Sequence, residues 1–141
     1  RIAEVAIINA NYLKEKLKKD FHLPFDKPVM HEFVLSHKWQ ENFGVQARDI
    51  AKRLIDYGFH PPTVNFPLIV KGALMIEPTE SETVQELDRF VNAMRMIALE
   101  AQENPEVLLD APHSTPVGRL DEVKAIKELN LRWKRESKKS G

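Results

Sequence analysis

Between Met30 and Gln102, short apolar runs alternate with amphipathic helical stretches, and this alternation limits the fold classes open to the chain. Met30–Ser36 (MHEFVLS) is rich in branched and aromatic residues and reads as a strand. Val45–Tyr57 carries Ala47, Ile50, Ala51, Leu54 and Ile55 at helical spacing, with Gly58 where a left-handed C-terminal cap is expected. His60-Pro61-Pro62 then excludes helix, because proline fixes its own φ and restricts the residue before it. Thr63–Val70 and Ala73–Ile76 are two further strands, with Lys71-Gly72 between them as a hairpin turn. Pro67 lacks an N–H, so the first of these is broken or lies at an edge. Thr79 and Glu82 have capping-box spacing, with Ser81 as a rival cap. The helix they open runs to about Gln102, with Val84, Leu87, Val91, Met94, Ile97, Ala98 and Ala101 inward. Short strands separated by helices predict a small α+β domain, a mostly antiparallel sheet covered by helices.

The flanks add helices. Ile2, Val5, Ala6, Asn9, Ala10, Leu13 and Leu17 share a helical face, and Lys14, Lys16, Lys18 and Lys19 suit the negative end of its dipole. Pro24 and Pro28 mark one loop and Trp39–Gly44 another. Pro105 follows the long helix, Ala111–Val117 is extended, and Leu120–Glu136 reads as a last helix with a basic end. The end of the chain, 136–141, is expected to fray. Helical pattern begins at Ile2 with neither an initiating Met nor a capping residue before it, so residues 1–19 are expected to link from a larger preceding domain.

A chain of 141 residues is one domain, and 43% hydrophobic with 30% charged residues is globular composition. The 21 basic and 21 acidic residues cancel, which gives no electrostatic case for nucleic acid or an anionic membrane. Without cysteine there is no disulfide, thiolate metal site or thiol nucleophile, in keeping with a reducing, cytoplasmic setting.

Local chemistry alone stops at a general α+β domain. His31-Glu32 opens the first strand, where neighbours point to opposite faces, so at most one addresses a cleft. Glu77-Pro78-Thr79-Glu80-Ser81-Glu82 gathers carboxylates at a helix start; capping accounts for Thr79, Ser81 and Glu82 but leaves Glu77 as either a buried post or an edge residue. The histidines, including His31, His60 and His113, show no i, i+4 pair, so no metal site is expected. Every glycine is isolated, which excludes a phosphate-cradling loop. Lys71 sits in the expected turn, too solvated for a Schiff base.

Four segments carry a resemblance. MHEFVLS (30–36), DIAKRLIDYGFHPPTVNFP (49–67), LMIEPTESE (74–82) with LDRFVNAM (87–94), and APHS (111–114) resemble, in order and spacing, the C-terminal part of the glycine decarboxylase P-protein family of the glycine cleavage system. INANYL (8–13) resembles the helix leading out of that family's large domain, and RLDE (119–122) through Trp133 the ending of subunit 2 where the enzyme is split in two. The resemblance implies the small domain of a fold-type-I pyridoxal-phosphate (PLP) enzyme. Such an enzyme decarboxylates glycine and passes the aminomethyl group to the lipoyl arm of the H-protein, with P-protein subunit 1 as its other half. It also implies that the PLP lysine lies upstream, since neither the family's His-Lys segment nor its glycine-rich stretch occurs here; this chain alone is expected to be inactive. The covering domain of such enzymes closes over the cofactor. The cleft-facing candidates are His31, His60, Glu77, Thr79, His113 and Arg119; Arg119 either holds a carboxylate or makes a salt bridge at a helix start. A rival reading is an interaction module for subunit 1 or the H-protein; a domain cut from its large domain is expected to expose the apolar face that met it, here the side of the first helix bearing Ile2, Val5 and Ile8.

Overall fold

A computed structural model describes residues 1–133. Five α-helices and three strands occur among them: α1 (Ile2–Leu17), β1 (Phe33–Ser36), α2 (Ala47–Asp56), β2 (Thr63–Val64), β3 (Ala73–Ile76), α3 (Val84–Glu103), α4 (Glu106–Leu109) and α5 (Glu122–Lys127). The sheet is antiparallel in the order β1-β3-β2. Helices α1, α2 and α3 supply most of the rest of the core, with Phe21 and Val45 from connections and Leu108 from α4; Leu13, Leu35, Ile50, Leu54, Leu74, Met94 and Ile97 are fully or almost fully buried. This is the α+β arrangement expected from the alternating runs.

The differences from expectation lie at element ends. β1 begins at Phe33 instead of Met30, so His31 and Glu32 precede the strand. Phe33 pairs with Ile76, and continuing the ladder backwards would place His31 opposite Pro78, which has no N–H to give. The chain before β1 is tied to α1 instead: Asn11 donates to the Val29 carbonyl at 2.8 Å and accepts from its N–H at 3.0 Å. The expected loop Trp39–Gly44 instead lies mostly in a 3-10 helix, His37–Phe43, opened by the Ser36 hydroxyl accepting from the Lys38 N–H.

The second strand keeps only Thr63 and Val64 of its expected eight residues. Asn65 adopts a left-handed φ of 58° and turns the chain out of the sheet, and residues 65–72, not Lys71-Gly72 alone, connect β2 to β3. Gly72 closes that connection at φ 62°, packed so tightly on His37 that a Cβ would lie 1.8 Å from the ring. Glycine is required there on both counts.

Helix α3 starts four residues later than the capping-box spacing suggests. The Thr79 and Ser81 hydroxyls bond each other at 2.8 Å, and the Thr83 hydroxyl caps the helix by accepting from the Glu86 N–H. Val84 is consequently exposed, while the other inward positions are buried as their spacing requires. The last helix covers only Glu122–Lys127 of the expected Leu120–Glu136; nothing in it is buried, and an isolated helix without packing is marginal. Residues 134–136 of that expectation and the fraying expected for 136–141 lie outside the described residues.

Candidate functional site

A cleft of about 530 Å³ opens at the end of the sheet where β2 begins and β3 ends. Two chain exits build it. Helix α2 stops at Gly58, whose φ of 80° is the expected left-handed cap, and the Phe59 N–H returns to the Leu54 carbonyl at 3.0 Å. Phe59 then packs edge-on against Phe90 of α3, with ring centroids 5.4 Å apart, and the rigid His60-Pro61-Pro62 corner leads into β2. On the other side β3 leaves the sheet at Glu77-Pro78-Thr79. Asn9, buried on α1, donates to the Thr79 carbonyl at 2.9 Å and fixes this rim.

The floor is apolar, with Leu13, Met75, Ile76, Leu87 and Phe90; the rim is polar, with His60, Glu77, Thr79, Glu82 and Glu86. Three candidates from the sequence, His60 from the α2–β2 connection and Glu77 and Thr79 from the β3–α3 connection, therefore meet at one cleft. Glu77 is exposed, an edge residue and not a buried post. Glu86 and Phe90 were not singled out from the sequence. Their signal was there, since Glu82, Glu86 and Phe90 recur at i, i+4, but the face they share is a cleft wall only because β3 exits beside it.

The other candidates lie elsewhere. His31 is exposed, and its ring lies 3.7 Å from the Glu32 carboxylate. His113 gives its backbone N–H to Asp56 at 2.6 Å, and its ring Nε2 lies 2.9 Å from the Val107 carbonyl. Arg119 makes the salt bridge at a helix start, not a cleft contact: it bonds Asp49 in the first turn of α2 at 2.9 Å and also the Leu108 and Leu109 carbonyls at the end of α4. It ties the segment after APHS to two helices.

Opposite in character is a polar lock between α2 and α3. Arg53 donates twice to Glu100, at 2.9 and 2.8 Å, and once to Asp56 at 3.1 Å, while the Tyr57 hydroxyl donates to Glu100 at 2.8 Å. Asp56 also accepts the backbone N–H groups of His113 and Ser114. Burial by itself would raise the Glu100 carboxyl, but hydrogen bonds from Arg53 and Tyr57 outweigh it and hold the group below the usual carboxylate range. Asp56 is likewise lowered: burial opposes, and the bonds from Ser114, His113 and Arg53 prevail.

The cleft does not fit the phosphate of PLP by itself. Its lining brings three carboxylates and, among the described residues, no lysine or arginine. Lys71 stands in the 65–72 connection, at the other end of β3, with its ammonium on Glu41. Among the described residues, this cleft's own lining supplies neither a lysine for a Schiff base nor a cation for a phosphate.

Comparison with known proteins gives the family. Residues 2–115 match the family model described as glycine dehydrogenase, C-terminal domain. A probable glycine dehydrogenase (decarboxylating) subunit 2 from Caldanaerobacter subterraneus is 58% identical over 133 residues, 94% of this chain and 27% of that protein. Those of Alkaliphilus oremlandii and Chlorobium phaeovibrioides are 53% and 58% identical over 96% and 93% of this chain. The chain spans about a quarter of the length of these relatives, 27–28%. The family match, high identity along nearly the whole chain and the α+β fold agree: the chain belongs to the glycine dehydrogenase C-terminal domain family.

Proposed function

We propose that this chain is the cleft-covering domain of a PLP-dependent glycine decarboxylase. The whole enzyme decarboxylates glycine and transfers the aminomethyl group to the lipoyl arm of the H-protein. PLP is anchored by a lysine outside this chain, residues 1–19 enter from the large domain, and the isolated domain is inactive. The observation that carries the reading is the cleft: an apolar floor under a polar rim, at strand ends, in a chain about a quarter the length of relatives named for glycine decarboxylation. Strand ends let side chains reach a neighbouring site without breaking the ladder.

In this role the apolar floor excludes water once the large domain faces it, which strengthens every polar interaction inside. His60, Glu77 and Thr79 orient the bound amine or its leaving groups, since their side chains project from a rim that Asn9 and the diproline corner hold in place.

Two measurements test the proposal. Full-length protein supplied with its companion subunit and a lipoylated carrier should release labelled carbon dioxide from carboxyl-labelled glycine; no release from the complete system refutes it. The isolated domain mixed with PLP and borohydride should show no specific lysine labelling. Stoichiometric labelling of one lysine, Lys71 above all, would contradict the upstream anchor.

The rival reading, an interaction module, is favoured by one observation. Ile2, Val5 and Ile8 on α1 are exposed, together with Phe25 and Met30 in the loop that follows. We assign this face to the large domain of the same polypeptide, which makes the two readings compatible.

A further inference from the structure

A second apolar surface lies after the matched domain. Val123 and Ile126 on α5, and Leu129, Leu131 and Trp133 beyond it, are all exposed, the last two by 89% and 81%. Few soluble surfaces display so many large apolar groups in one short stretch unless something covers them. The segment is organised for contact. Asp121 caps α5 by accepting from the Lys124 N–H at 2.9 Å. Leu129, Leu131 and Trp133 alternate with Asn130 and Arg132, the period of an extended strip with one apolar edge. Its root is fixed, because Arg119 spends three hydrogen bonds on Asp49 and the α4 carbonyls. An arm tethered at a fixed root loses less entropy on docking than a free tail does.

What covers it is indicated by where the similarities stop. The family model for the domain ends at residue 115, whereas relatives align over 132–135 residues and so continue into this arm. Those relatives are each named as a probable subunit 2, which implies a companion subunit. A two-part enzyme needs what the domain itself does not supply, a hold on a chain to which it is not covalently joined. We propose that residues 120–133 form a docking arm for the companion subunit, with Val123, Ile126 and Trp133 seated in an apolar groove of that chain. This rests on the two-subunit reading of the proposed function.

The test uses full-length subunit 2 and its companion, mixed and followed by sedimentation velocity, with the melting temperature of subunit 2 alone measured on the same preparations. V123D/I126D and W133A leave the core untouched, since α5 buries nothing. The double variant is expected to weaken association about 100-fold and W133A about 10-fold, the scale of central apolar contacts in an interface, with no change in melting temperature. Unchanged association overturns the proposal. If melting temperature falls while association holds, the arm folds onto its own subunit, which also overturns it. Activity is not the readout, so normal docking lost in the variants would sustain the arm even if the complete system failed to decarboxylate glycine. Wild-type chains that do not associate would overturn both the arm and the two-subunit reading.

Discussion

The same residue types behave in opposite ways on two sides of this domain. Between α2 and α3, Arg53, Glu100, Asp56 and Tyr57 exchange hydrogen bonds, and each carboxylate is held ionised by named donors. At the cleft, Glu77 and His60 stand exposed on its rim. The lock uses charge to fix helices; the cleft leaves charge to be used by something else. A carboxylate is therefore read by what surrounds it, and the contrast predicts that substitutions on one side cost stability and on the other cost turnover.

The sharpest way to break the contrast is to remove the lock. Arg53→Ala leaves Glu100 and Asp56 partly buried without their cation and is expected to cost about 3 kcal/mol in urea unfolding. A loss below about 1 kcal/mol would show the lock to be no stronger than an exposed ion pair. Next comes Gly72→Ala, a backbone test independent of charge. The left-handed φ and the 1.8 Å approach to His37 should together cost about 2–3 kcal/mol. Combining it with His37→Ala should recover part of the loss; no recovery would mean that the backbone alone resists the side chain.

On the cleft side, Glu77→Gln in the complete enzyme is expected to lower turnover about 10–100-fold, or about 1.4–2.7 kcal/mol of transition-state stabilisation. Its melting temperature should stay within a degree or so of wild type, as for an ordinary surface change. His31→Ala, placed away from the cleft, should lose less turnover than Glu77→Gln. A destabilised Glu77→Gln with normal turnover of the folded fraction would make Glu77 a structural post and erase the contrast.

Acid titration gives the smallest effect. Burial lowers the His37 pKa, with Lys71 adding to the effect, and burial followed by Lys38 lowers that of His22. Both depressions favour the neutral ring in the folded state, so the associated stability is present above the ordinary histidine range and is lost as pH falls below about 6.5. Glu100 and Asp56 are also depressed, and their contribution is lost at lower pH, as acid falls through the carboxylate range. Unfolding free energy should thus decline in two steps, each group giving a slope of at most about 1.4 kcal/mol per pH unit. Arg53→Ala should flatten the lower step and leave the upper one; equal loss of both would show the steps to be one.

Much of the fold was legible in the residues. Periodicity located the cores of α1, α2, α3, β1 and β3, because a period of 3.6 or 2 follows from backbone geometry and needs no partner. Gly58 was legible as a cap because only glycine takes that φ without strain. The boundaries were not. Where β1 begins depends on Pro78 lying across from it, where α3 begins depends on Thr79 and Ser81 spending their hydroxyls on each other, and the brevity of β2 on the turn at Asn65. The family was legible as well, through four segments whose order is specific even though each is short.

The cleft is the clearest division of labour. Sequence determined that His60, Glu77 and Thr79 lie at the ends of elements, since proline stands beside each and stops the element there. Only the tertiary structure decided that these three share a rim while His31, His113 and Arg119 do not. Arg119 shows why: a guanidinium meets whichever oxygens folding brings within about 3 Å, and those belong to Asp49, Leu108 and Leu109, as far as 70 positions away along the chain. Local chemistry is written residue by residue, but the short reach of hydrogen bonds and packing makes a site a property of the folded chain.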